Sequence, residues 1–166
     1  RVSRRPPTRP AASAGVEIHE SGAVVVDDRM RTSVPNIHAV GDVAAPPAVR
    51  GDENAWVPLG GPANRMGRVA ANDVAGRDDR LDPVLDTAIA KVFDLDVGTV
   101  GDTAAALDES GRAYEAVYTS QPGHAEYYPG GSEIDFKLLF DPDDGTLHGA
   151  QVVGDGGVDK RVDVLA

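Results

Sequence analysis

Residues 132–155 constrain the fold more than any other stretch. SEIDFKLLFD puts Ile134, Phe136 and Leu138 on one face of an extended chain, with Lys137 and Leu139 alternating to the other. That is the two-residue period of a half-buried strand. PDDGTLHG supplies turn residues and AQVVGD a return strand, so the segment reads as a hairpin. A sheet built this way needs further elements over its apolar face. The flanking segments provide them. TAIAKVFDLDVGTVG predicts a strand over 88–95 and a short one near Thr99, and AYEAVYTSQ predicts another by alternation and β-propensity. DTAAALDESG predicts a helix capped by Asp102 or Thr103 and ended by Gly111. DKRVDVLA begins a helix of about two turns that reads as cut short. Residues 83–166 are therefore expected to form one domain, a mixed sheet flanked by helices, and the chain falls in the α+β class.

Residues 14–80 read differently. Two short apolar segments, 16–18 and 23–26, flank the turn residues Glu20-Ser21-Gly22 and predict a hairpin-like pair. The run TSVPNIHAVGDVA predicts a short buried strand over 37–40 that stops abruptly at Gly41-Asp42. A buried strand that ends on a carboxylate raises the question of what that carboxylate holds. AAPPAVRGDENAW is a loop, and GPANRMGRVAANDVAG predicts a helix over 63–74 with Met66, Val69, Ala70 and Val74 inward and Gly76 as its stop. A boundary is expected within 77–83. Residues 1–13 are basic and proline-rich, with arginine at 1, 4, 5 and 9, and are expected to be irregular and disordered.

Charge narrows the function classes. The net charge is −11 over 166 residues, carried mostly by aspartate, and lysine occurs only at Lys91, Lys137 and Lys160. Such a surface repels nucleic acid and anionic membrane. It suits concentrated salt, where screening tames self-repulsion, and reads as a halophile's surface. The absence of cysteine excludes disulfides and thiol chemistry within these residues. No apolar run is long enough to span a bilayer and none resembles a signal peptide, so a cytoplasmic protein is expected. His19, His38, His124 and His148 lack metal-ligand spacing and read as loop or strand residues with no acid cluster nearby, and no metal site is expected. GDGGVD at 154–159 lacks the dinucleotide-binding glycine order and reads as a turn.

Six segments together resemble one family. TSVPNIHAVGDVA looks like the second flavin-binding motif of the pyridine nucleotide-disulfide oxidoreductases, and VPLGGPANRMGRVAANDVAG resembles the helix that follows it. KVFDLDVGTVG, HAEYYPGG and FKLLFDPDDGTLHGAQVVG, with DKRVDVLA, are similar to the dimerisation domain, in detail to the branch of coenzyme A disulfide reductases and NADH oxidases. The resemblance spans residues 14–166. It implies that 14–80 are the C-terminal part of an FAD-binding Rossmann-type domain and that 83–166 form a dimerisation domain. It also implies a homodimer using FAD, with NAD(P)H as co-substrate and a small-molecule disulfide or oxygen as acceptor.

The resemblance assigns roles by residue. Asp42 would accept a hydrogen bond from a ribityl hydroxyl of FAD, a charge-assisted contact suited to an acceptor-only group. Gly41 would allow close backbone approach, and Val43, Ala44 and Leu59 would complete the cofactor site. Asn64 stands where a coenzyme A disulfide reductase can carry a substrate-contacting histidine, a departure that bears on the substrate. Tyr127 would reach across the dimer toward the partner's redox centre, with its neighbour Tyr128 facing away. The family's first Gly-x-Gly-x-x-Gly unit, its redox cysteine and its NAD(P) domain are not in this sequence, so the chain reads as a C-terminal fragment, inactive alone. The compositional break before Ala11 suggests a shifted reading frame. The alternative is a non-catalytic remnant: a dimerisation domain with an incomplete flavin site.

Overall fold

The computed structural model describes residues 6–49, 54–125, 127 and 129–166. The chain divides into two compact units, the first ending at Val84 and the second running from Leu85 to Ala166.

The first unit is organised around one long helix. After a short helix α1 (Arg9–Ser13), strand β1 (Val24–Val25) pairs in parallel with β2 (Ala44–Ala45), Val24 opposite Ala44. The expected hairpin-like pair is present at its turn: His19 N–H donates to the Ala23 carbonyl, and Ile18 bridges Val24. Helix α2 (Gly60–Val74) buries Met66, Val69 and Ala70 against Val24, Val26, Met30, Ala44 and Val57. Its end is a Schellman motif: Gly76, at φ +73°, donates to Asp73, and Arg77 N–H reaches back to Asn72.

Several expectations fail in this unit. Val74 is 74% exposed, because it falls past the helix's inward stripe. No strand forms over 37–40; the chain turns at Asn36, φ +64°, and only His38 pairs, with Arg31. Helix α2 starts three residues before the expected Ala63. The segment before residue 14 is ordered where it is described. Thr8 Oγ1 donates to the Gly22 carbonyl at 2.7 Å, and Ala11 packs on the core. Residues 1–5 lie outside the described residues.

The second unit is a five-stranded sheet in the order β3-β4-β7-β6-β5. The strands are β3 (Thr87–Val92), β4 (Leu95–Gly101), β5 (Glu115–Pro122), β6 (Glu133–Phe140) and β7 (Leu147–Gly154). Every pair is antiparallel, so the sheet is not mixed as expected: three connections are hairpins, and α3 (Ala104–Ser110) carries the chain from β4 to the far edge. The expected strand over 88–95 is broken by a two-residue turn at Phe93-Asp94, with Phe93 at φ +54°. Thr103 Oγ1 accepts from Ala106 N–H to cap α3, and Gly111 ends it at φ +68°. Helix α4 (Val158–Leu165) sets Val158 and Val162 on Val100, Ile134, Ala150 and Val152. Gly98 allows that contact, since a Cβ there would collide with Val162.

Candidate functional site: the turn at Gly41-Asp42

Val40 is extended, at φ −142° and ψ 156°, and Gly41 then reverses to φ +75°, a left-handed value that favours glycine. The reversal starts a single 3₁₀ turn, Gly41–Val43, that feeds β2. A Cβ at Gly41 would sit 3.9 Å from the Cβ of Ala63, so the turn lies against the first turn of α2. That helix begins Gly60-Gly61-Pro62 after Leu59, with no side-chain cap on its N-terminal N–H groups. An uncapped helix start carries donors and partial positive charge. The chain thus brings a carboxylate-bearing turn and a donor-rich helix end together.

A cavity of about 380 Å³ opens beside this turn, lined by Pro6, Pro7, Asp42, Val43, Trp56 and Pro58. Of the residues the sequence analysis assigned to the cofactor, Asp42 and Val43 line it. Gly41 shapes the turn behind it. Ala44 is 1% exposed and packs in the core. Leu59 leans on the same core. Asn64 is exposed and sits on the second turn of α2 rather than its first, because the helix starts early. Tyr127 is 90% exposed in a turn of the second unit, and Tyr128 lies outside the described residues.

Sequence reasoning missed Trp56, Pro6 and Pro7. The two prolines were hidden inside a segment whose arginines argued for disorder. Trp56, the chain's one tryptophan, could have been flagged by its place just before Val57-Pro58-Leu59.

The histidines are less bland than expected. His38 Nε2 lies 2.9 Å from Asp73 Oδ2, and buried His148 lies 3.6 Å from Asp141. Asp73 also accepts from Arg31 Nε at 2.8 Å. Its carboxyl is held well below the usual carboxylate range, first by the Arg31 hydrogen bond and then by that of His38. Among the described residues, no group of three or more His, Asp or Glu side chains is placed to hold a metal ion. No described helix is long and apolar enough to cross a membrane.

Comparison with known proteins decides the family. A model of pyridine nucleotide-disulphide oxidoreductases matches residues 2–72, and the model of that family's dimerisation domain matches residues 87–166. The chain belongs to the pyridine nucleotide-disulphide oxidoreductase family. The first match begins at residue 2 and so takes in the basic segment before Ala11. An NADH oxidase of Methanocaldococcus jannaschii is 36% identical over 98% of this chain and 36% of its own length. A coenzyme A disulfide reductase of Staphylococcus aureus is 34% identical over 99% of this chain and 37% of its own. The crystal structure of reduced Bacillus anthracis CoADR-RHD superposes with a TM-score of 0.90 at 38% identity, over 97% of this chain and 29% of that one. The chain thus spans little more than a third of these oxidoreductase relatives.

Proposed function

We propose that this chain contributes the flavin-facing aspartate and the dimerisation domain of an FAD-dependent NAD(P)H oxidoreductase of coenzyme A disulfide reductase or NADH oxidase type. The observation that carries the reading is the Gly41–Val43 turn: it sets Asp42 on the wall of a cavity, with its back against the start of α2. The donor set fits FAD. An ionised carboxylate accepts from a ribityl hydroxyl, and the N–H groups of Gly60 and Gly61 suit an anionic or carbonyl oxygen of the cofactor. Bound FAD would supply the hydride acceptor. This chain's residues bind and orient it, and the apolar wall of Val43, Trp56 and Pro58 excludes water.

The chain holds no cysteine, so a thiol step draws on residues outside it. Tyr127 is the residue assigned to the partner's redox centre, and its full exposure leaves the phenol available to a second copy. The acidic surface fits a cytoplasm rich in salt. The test is the purified, complete locus product. Visible flavin absorbance is expected, with NADH or NADPH oxidation driven by coenzyme A disulfide, another disulfide or oxygen. A colourless product that oxidises neither nucleotide would overturn the reading and favour the non-catalytic alternative.

A further inference from the structure

The Asp42 turn does not stand alone. The indole Nε1–H of Trp56 donates to the backbone carbonyl of Asp42 at 2.8 Å, across 14 residues of chain. The return path is itself fastened. Ala55 N–H donates to the Pro46 carbonyl at 2.9 Å, and Pro47 bridges Asn54. Asn54 Nδ2 donates to the carbonyls of Val26 and Ala45, each at 2.7 Å, tying the loop's end to β2 and to the residue after β1. Next to Trp56, Val57 is buried in the core. The indole is therefore held from one side and holds the turn from the other, while its ring lines the cavity with Asp42.

A turn begun by a left-handed glycine has few bonds of its own, so an outside donor to its middle carbonyl restricts how the carboxylate swings. The donor here is a tryptophan. It adds a rigid apolar wall at the same point, which a serine or asparagine would not. We propose that Trp56 is a positioning residue of the cofactor site: its indole N–H fixes the turn that presents the Asp42 carboxylate, and its ring closes one side of the cavity. The proposal rests on the flavin reading of Asp42 and adds to it a residue whose effect runs through the turn's backbone.

The test is a double-mutant cycle in the complete flavoprotein, stripped of FAD and titrated back, with visible absorbance and flavin circular dichroism recorded at saturation. Trp56→Phe keeps a ring and removes the donor. Asp42→Ala removes the carboxylate but keeps the carbonyl that Trp56 binds. Trp56→Phe is expected to weaken FAD about five-fold, the worth of about one neutral hydrogen bond, and to shift the flavin spectrum with little change in the apoprotein's melting temperature. If Trp56 acts through Asp42, its penalty shrinks toward none in the Asp42→Ala background. Additive penalties, or unchanged affinity and spectrum in Trp56→Phe alongside weakened Asp42→Ala, overturn the role of Trp56 and leave the flavin reading intact. Unchanged affinity in both single variants overturns both. Trp56→His, which retains a ring N–H, serves if the Phe variant does not fold, and is expected to lie between wild type and Trp56→Ala in affinity. Equal affinities for the His and Ala variants would also overturn the proposal.

Discussion

Asp73, on the last turn of α2, is bonded to His38, which lies four residues ahead of Asp42, at 2.9 Å. The helix that starts against the Asp42 turn therefore also clamps, by its other end, the segment leading into that turn. The carboxylate is 5% exposed and faces the His38 ring and two guanidinium groups, Arg31 and, at 3.5 Å, Arg29, which itself reaches Asp78.

This cluster predicts a pH dependence. Arg31 and His38 lower the folded pKa of Asp73 below its ordinary value of about 3.9. A carboxyl with a depressed folded pKa contributes stability above its unfolded value and loses it as pH falls through the folded one. Asp73→Asn should melt several degrees below wild type at pH 7. The gap should narrow as pH drops below about 4, where wild-type Asp73 begins to lose its advantage. Thermal melts at fixed KCl between pH 7 and 2 check this, and a gap that is absent at pH 7 or widens toward acid counts against the cluster.

Asp42→Ala in the complete protein should weaken FAD retention. Losing a charge-assisted acceptor for a hydroxyl costs about 1–3 kcal/mol, or roughly five- to 150-fold in affinity. Dialysis followed by flavin absorbance measures it. Stoichiometric flavin retained under conditions that resolve a ten-fold weakening would show that the carboxylate holds something else.

Packing of α4 gives a prediction independent of any cofactor. A Cβ at Gly98 meets Val162, and Val158 lies close behind it, whereas a Cβ at Gly156 meets nothing within 4 Å. Gly98→Ala should push α4 off β4 and cost about 1–3 kcal/mol as overpacking, while Gly156→Ala should be near neutral. Denaturant melts of both variants compare them directly. Equal midpoints would mean that α4 does not pack as described.

What was legible in the sequence follows from how local each signal is. The hairpin β6–β7, the Thr103 cap and the Gly76 stop are written in a few adjacent residues, and each formed where it was read. The β3–β4 hairpin was not legible, because its turn uses Phe93 at φ +54° where glycine or asparagine would be the signal. The strand expected over 37–40 failed because pairing depends on a neighbour, and the turn at Asn36 leaves only the His38 bridge. At the site, Asp42 stood out as a charge ending an apolar run. Trp56 acts through a carbonyl 14 residues away, which no local pattern encodes. Pro6 and Pro7 were masked by the arginines around them, although Thr8 and Ala11 anchor the segment to the unit.

The second unit should pair with a copy of itself. Helix α4 covers one face of the sheet; by register the other carries Val92, Leu95, Val97 and Val153, and Val92 and Leu95 are nearly half exposed. Tyr118, on that same face, is 70% exposed. Apolar area of this kind favours association. Light scattering of the chain in 2 M KCl, a concentration chosen to screen surface charge to within about 3 Å, should return twice the 17.3 kDa monomer mass. A well-folded monomer at that salt would leave the exposed valines and leucine without a partner.

The final expectation concerns salt. A net charge of −11 on 166 residues repels itself over a Debye length of about 30 Å at 0.01 M and only about 3 Å at 1 M. At low ionic strength the whole acidic surface pushes against the fold, whereas at molar salt only neighbouring carboxylates do. Several ion pairs in the structure oppose this trend, because Arg65–Asp82, Arg80–Asp28 and Lys91–Asp96 are exposed and weaken with screening. Each is worth at most about 1 kcal/mol, and the excess of acids over bases outnumbers them. Net repulsion should therefore dominate, and the melting temperature should climb steeply as KCl rises from 0.05 to 3 M, a range chosen to span the screening limits. Circular dichroism melts across that range decide the matter. A flat or falling melting temperature would mean that the exposed pairs outweigh the repulsion and that the aspartates are ordinary surface composition rather than an adaptation to salt.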